Sequence, residues 1–227
     1  PPLAMLVRHR MTRDPFTVGP DDSLAHALRL TREHRVRHLP VVDGAGVLVG
    51  ILSDRDIRLA MPSPLTVADP ERVDFLERTP VSAIMTAEVI TCTGADPIED
   101  AAKLLCRHRI GAVPVTDATG SLQGILSESD LLSAMVQILG GTEPASRLEV
   151  ALPDRPGELA RAVSILAGHS VNIVSVLVSP VRVEGDKTVI FHLGTIDPRE
   201  VIGGLEAAGF RVGWPSLEED VRALLGR

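Results

Sequence analysis

Apolar positions in the first 140 residues follow two periods in turn. Leu24, Ala27, Leu28 and Thr31 recur at helical spacing, and so do Ile98, Ala101, Ala102 and Leu105. Asp22 and Asp96 stand where acidic N-caps would open these helices. Pro97 takes the first helical position, and Glu99 completes a capping pattern with Asp96. β-rich runs at 16–18 and 89–91 precede the helices. After each helix come two strands, 39–42 with 47–52 and 113–116 with 122–126, around the turns 43–46 and 117–120. A last helix starts at Ser53 in the first set and Ser127 in the second. Within 58–80, Met61-Pro62-Ser63-Pro64 and Asp69-Pro70 interrupt regular structure, leaving a short helix over 71–78.

The two sets are copies. Met11-Thr12 returns as Met85-Thr86, 74 positions later, and Thr17 returns as Thr91. The same offset relates Ala27 to Ala101, His34-Arg35 to His108-Arg109, Pro40-Val41 to Pro114-Val115 and Asp43 to Asp117. It also relates Gly50-Ile51-Leu52-Ser53 to Gly124-Ile125-Leu126-Ser127, and Asp56 to Asp130. No gap is needed, so one fold is expected twice. One copy is too small to bury its sheet well; two packed together solve that and leave a cleft between them.

The pattern changes after residue 147. A strand over 147–152 leads into the turn Pro153-Asp154-Arg155-Pro156-Gly157 and a helix over 158–168. Strands over 171–183 and 187–194 flank the hairpin signal Glu184-Gly185-Asp186. Asp197-Pro198 opens another helix, Gly209 ends it, and 210–214 closes as a strand. The order β-α-β-β-α-β is the ferredoxin-like unit. Ser216-Leu217-Glu218-Glu219 is a capping box for a C-terminal helix.

Composition narrows the function. The chain of 227 residues has a net charge of −7, and aromatics make up 2% with no Tyr. A basic stripe and stacking aromatics are both missing, which argues against nucleic acid as a partner. Two cysteines, Cys92 and Cys106, form no CxxC pair, and a reducing cytoplasm is the expected setting. No apolar run is long enough to span a bilayer, so no membrane role is expected. The seven histidines form no metal-ligand spacing. Nucleophile elbow, Walker loop and GxGxxG are all absent, so an enzyme is not expected.

These residues carry a resemblance. The Met-Thr pairs, the Leu39-Pro40-Val41-Val42 and Val113-Pro114-Val115 strands, and Gly-x-x-Ser-x-x-Asp at 50–56 and 124–130 resemble tandem CBS domains. Residues 152–159 resemble the first loop and helix of an ACT domain. CBS–CBS–ACT in this order, with an interlobe segment ending Phe75-Leu76-Glu77-Arg78-Thr79-Pro80-Val81, resembles the acetoin utilization protein B family. The implied fold class is α+β: two CBS repeats forming a Bateman module, then a ferredoxin-like ACT domain. The implied boundaries are CBS domains at 7–60 and 81–138, a linker at 61–80, an ACT domain at 147–215 and a helix at 216–227.

Two readings of Ser53 and Asp56 stay open. A capping box needs nothing more than these residues. The same geometry presents a helix N-terminus that favours an anion, and a carboxylate able to accept from a ribose diol. The resemblance gives the ribose to Asp56 and Asp130, with Ser53 and Ser127 beside the phosphate. It also brings Thr17, Arg37, His38, Leu39, Pro40 and Arg55 to the first half-site. Thr91, Ala112, Val113, Pro114 and Ser129 go to the second. Arg37, His38, Arg55 and Arg58 match Gly111, Ala112, Ser129 and Leu132, so the first half-site is expected to hold the more charged ligand. The implied ligands are AMP, ADP, ATP or S-adenosylmethionine, with no cofactor required. In the ACT domain Asp154, Arg155, Pro156 and Gly157, with Asn172 and Ile173 as the other wall, are expected to hold a small ligand between paired domains. A regulatory homodimer acting on a metabolic enzyme, in acetoin breakdown by the family's name, is the implied whole. The alternative is a dimerising regulatory subunit that binds no nucleotide.

Overall fold

The computed structural model describes residues 5–63, 68–138, 145–183 and 185–214. The chain forms two compact units, Pro1–Leu132 and Ser133–Arg227. The interlobe residues 64–67, Glu184 and the capping box at Ser216 lie outside the described residues.

In chain order the elements are β1 (Thr12–Arg13), α1 (Leu24–Glu33), β2 (His38–Val42), β3 (Leu48–Ser53), α2 (Asp54–Ala60) and α3 (Asp69–Arg78). Next come α4 (Ile98–His108), β4 (Ala112–Thr116), β5 (Leu122–Ser127) and α5 (Glu128–Ile138). The last group is β6 (Ser146–Pro153), α6 (Glu158–Gly168), β7 (Ile173–Val183), β8 (Asp186–Leu193), α7 (Arg199–Ala207) and β9 (Arg211–Trp214).

The duplication holds at atomic detail. β2 pairs with β3 from His38↔Ser53, and β4 with β5 from Ala112↔Ser127, with the same register shift at Val41/Val42 and Val115/Thr116. The first copy's core of Val18, Leu24, Ala27, Leu39, Val41 and Leu52 recurs as buried Cys92, Ile98, Ala101, Val113, Val115 and Leu126. Each fully buried Leu or Val in these sets contributes roughly 1.5–3 kcal/mol.

The copies exchange their leading segments. β1 of the first copy pairs with β5 of the second, Thr12 opposite Ile125. In return Thr86 bridges Ile51 on β3, with both main-chain hydrogen bonds at 2.9 Å. Val81 is buried in the first copy's core, and the Val7 N–H bonds to Asp96 O just as Val81 N–H bonds to Asp22 O. This explains the repeated Met-Thr and Gly. A Cβ at Gly50 would stand 2.5 Å from Met85 Sδ, and one at Gly124 would stand 2.7 Å from the main-chain oxygen of Thr12. Only glycine lets the exchanged strand lie so close.

Several sequence expectations move. Ser23, not Asp22, caps α1, accepting from the His26 N–H. Pro97 occupies the N-cap of α4 rather than its first turn. Asp22 and Asp96 instead accept from the N–H groups of Gly19 and Thr93, closing the turns before the helices. The run at 16–18 reduces to a single parallel bridge, Val18↔Val41, and 89–91 forms no strand; the matching bridge is at the next residue, Cys92↔Val115. Asp69-Pro70 does not interrupt structure but opens α3, since proline is accommodated where no helical N–H is needed.

In the second unit the sheet order is β7-β8-β6-β9, all antiparallel, which is the ferredoxin-like arrangement. Leu148, Val150 and Leu152 of β6 pack with Leu166 of α6 and Ile202 and Leu205 of α7. Gly209, at φ +89°, ends α7 as expected.

Candidate functional site

The strand exchange builds two matched cavities in the first unit. One, of about 660 Å³, is lined by Ser53, Asp54, Arg55, Asp56 and Arg58, and by Thr86, Glu88, Val89 and Ile90 from the second copy's exchanged segment. The other, of about 290 Å³, is lined by Ser127, Glu128, Ser129 and Asp130, and by Thr12, Asp14, Pro15 and Phe16 from the first copy. Each cavity therefore takes its capping box from one copy and its opposite wall from the other. Arg37, His38, Gly111, Ala112 and Glu128 line both, forming a shared partition.

The two carboxylates are held alike. Asp56 Oδ2 accepts from Ser53 N–H at 2.9 Å and from the Ser53 hydroxyl at 2.6 Å, while Ser53 Oγ accepts from Asp56 N–H at 3.1 Å. Asp130 Oδ2 accepts from Ser127 N–H at 2.8 Å and from its hydroxyl at 2.6 Å. The cap uses only one oxygen of each acid, so Oδ1 is left for a ligand hydroxyl among the described residues. Cap and ligand are thus compatible roles for one side chain. The serine hydroxyls, by contrast, have given their only proton to the aspartate. Phosphate charge at these sites is better met by the arginines.

Charge is distributed differently from the sequence expectation. The Asp56 cavity has Arg37, Arg55, Arg58 and Arg109, set against Asp54, Asp56, Glu88 and Glu128. Asp54 already holds Arg58 at 2.7 Å. The Asp130 cavity has Arg35 and Arg37, against Asp14, Glu128 and Asp130. The first site keeps more arginines, but the second has Arg35 and shares Arg37. Arg35 and Arg109 both have φ +54°, at the position after a helix where glycine is favoured. The smaller cavity also has an aromatic wall: Phe16 stacks on His34 with ring centroids 3.7 Å apart and planes 13° from parallel. Its counterpart in the larger cavity is Ile90.

His38 sits in the partition. Burial pushes its imidazole below the ordinary value; Asp54 pulls it back, Arg37 pushes it further down, and Asp56 and Glu128 pull it up.

The structure does not bring every expected residue to a cavity wall. Leu39 and Val113 are fully buried in the cores; Pro40 and Pro114, on the opposite strand faces, are buried too, and none of the four lines either cavity. Thr17 lines a separate hollow with Val42, Gly46 and Leu122. Thr91 is exposed and outside both walls. Sequence reasoning missed Phe16, Arg35, Glu88, Ile90, Arg109 and Glu128. The repeated His34-Arg35 and His108-Arg109 pairs were a signal for two of these, and Glu128 adjoins Ser127 in the second capping box; Phe16, Glu88 and Ile90 depend on the exchange.

In the second unit, Gly157 caps α6 at φ +92°, a conformation that glycine adopts without strain. Asp154 is tied to Lys187 at 2.6 Å and to Arg182, and the Lys187 hydrogen bond leads in holding its carboxyl below the usual range. Arg155 pairs with Glu158. Pro153 is opposite Asp186, whereas Ile173 is opposite Leu193, itself opposite Ser146. The 154–157 loop and the Asn172-Ile173 wall therefore lie at opposite ends of the sheet, roughly 20–25 Å apart at about 3.3 Å per residue. One copy of the domain cannot join them. Among the described residues no cluster of His, Cys, Asp or Glu could hold a metal ion, and no helix is long and apolar enough to cross a membrane.

The CBS domain profile matches residues 7–63 and 81–137. The chain belongs to the CBS-domain family. An ACT domain profile matches 146–203, so the CBS pair is followed by an ACT domain. A CBS domain-containing protein of Dictyostelium discoideum is 37% identical over 145 residues, covering 63% of this chain and all of the relative. The structure of a Vibrio cholerae protein assigned to acetoin utilization is similar over 63% of this chain and 100% of its own (TM-score 0.52, 28% identity). The Arabidopsis thaliana CBS-pair protein CBSX2, in complex with AMP, is similar over 60% of this chain and 99% of its own (TM-score 0.50, 31% identity). A further CBS pair, in complex with 5′-methylthioadenosine and S-adenosyl-L-methionine, covers 62% and 99% (TM-score 0.50, 28% identity).

Proposed function

We propose that this protein is a non-catalytic regulator whose CBS pair senses an adenosine nucleotide or S-adenosylmethionine. The observation that carries the reading is the pair of matched cavities, each with an aspartate fixed through one oxygen and the other oxygen unused. That arrangement suits a ribose hydroxyl. The likeness to CBS pairs that hold AMP, or 5′-methylthioadenosine and S-adenosylmethionine, supports an adenosyl ligand in both cavities. The arginine-richer Asp56 cavity suits the phosphorylated ligand. The smaller Asp130 cavity, with Phe16 on its wall, suits a less charged one.

In this reading, ligand binding shifts the packing of the CBS copies and so biases the ACT domain, which takes a small ligand between two copies in a homodimer. The opposite-end placement of its two walls favours such a shared site. Domain order and the likeness to the Vibrio cholerae protein favour acetoin breakdown as the regulated pathway and a metabolic enzyme as the target. The cysteine usage favours the cytoplasm. Titration calorimetry of adenosyl compounds against the wild type, Asp56→Ala and Asp130→Ala tests the nucleotide reading. Unequal losses are expected for AMP, and no binding by the wild type overturns it.

A further inference from the structure

A third cavity of about 460 Å³ lies beside the Asp56 cavity, bordered by α1, α2 and α3. Its lining includes Arg32, Arg35, Arg37, Arg58 and Arg72, with Asp54 as the one carboxylate in the set. Arg37, Asp54 and Arg58 also line the Asp56 cavity, so the two spaces adjoin. Arg58 is paired with Asp54, and Arg72 reaches the exposed Asp69 at 3.2 Å. Among the described residues no carboxylate pairs with Arg32, Arg35 or Arg37. Arg72 Nε is buried without a hydrogen-bond partner among the described residues. A guanidinium cannot shed its proton, and a buried donor left unpaired is costly. Such a cluster calls for an anion.

The second copy is an internal control. Seventy-four residues on, Arg32, Arg37 and Arg58 become Cys106, Gly111 and Leu132, and only Arg35 keeps its charge, as Arg109. Arg72 belongs to the interlobe helix and has no counterpart. The second copy builds the same sheet and core without the cluster, so the fold does not account for these arginines.

We propose that this cavity is an oxyanion subsite taking the outer phosphates of a nucleoside polyphosphate seated in the Asp56 cavity. The proposal rests on the nucleotide reading of that cavity. Guanidinium forks match phosphate oxygens in pairs. Arg32 and Arg72 do not line the nucleoside cavity, so a monophosphate has no use for them.

The test is calorimetry of AMP, ADP, ATP and inorganic tripolyphosphate on the full chain without divalent cations, using the wild type, Arg32→Gln/Arg72→Gln and Arg32→Glu. Arg32 is exposed, so the single variant preserves folding if the double one does not. ATP is expected to bind the wild type about tenfold or more tighter than AMP. The variants should lose that advantage and leave AMP unchanged. Equal affinity for AMP and ATP in the wild type overturns the subsite and leaves the nucleotide reading intact, as does a variant that weakens both alike. Tripolyphosphate binding to the wild type and not the variants, with no nucleotide bound, supports the oxyanion site and overturns the nucleotide reading.

Discussion

The imidazole of His38 lies against Gly111, close enough that a Cβ on Gly111 would stand 2.8 Å from His38 Cε1. Both residues belong to the partition between the two cavities. Gly111→Ala should push the ring aside at little cost in stability, because the atoms it meets are the far end of a side chain that borders open space. Because the ring lines both spaces, affinity should change at both sites. Denaturant melts and calorimetry check this; a change confined to one site would mean that the partition is not shared.

The cap and the ligand site can be separated by choice of variant. Ser53→Ala removes a helix cap and should cost about 0.5–2 kcal/mol, yet it leaves the Asp56 carboxylate in place. Nucleotide affinity should fall little. Asp56→Ala should cost similar stability and also lose binding. Equal losses of affinity from the two variants would contradict a role for the acid separable from the cap.

Stability should depend on pH through His38. Its folded value lies below the ordinary 6.5, chiefly through burial. Between the two values the unfolded chain holds the proton and the folded chain does not, so stability rises with pH across that window and is lost as pH falls through it. His38→Gln should flatten this slope. Urea melts at about pH 5 and pH 7 measure it, and an unchanged slope in the variant would assign the dependence elsewhere.

Much of this was legible in the chain. The 74-residue offset predicted the duplicated fold and the paired capping boxes, because each depends on local pattern. The ferredoxin-like unit was legible too, through its turns at Gly157 and Gly209. The composition of each cavity was not. Periodicity places Arg37 and Arg55 in one copy, but it cannot show that Thr12 crosses to pair with Ile125 and Thr86 with Ile51. That exchange brings Phe16 to the Asp130 cavity and Ile90 to the Asp56 cavity. Leu39 differs for another reason: the motif marks a strand, and only the fold shows that Leu39, with Val41, turns into the core.

The most direct test of the nucleotide-sensing account is a thermal shift of the full chain with AMP, ATP and S-adenosylmethionine, repeated on an Asp56→Ala/Asp130→Ala protein. A ligand present at 100 times its dissociation constant should stabilise the wild type by roughly 2.7 kcal/mol and leave the double variant unmoved. A wild type that none of these compounds stabilises, or a double variant stabilised as strongly as the wild type, would contradict it.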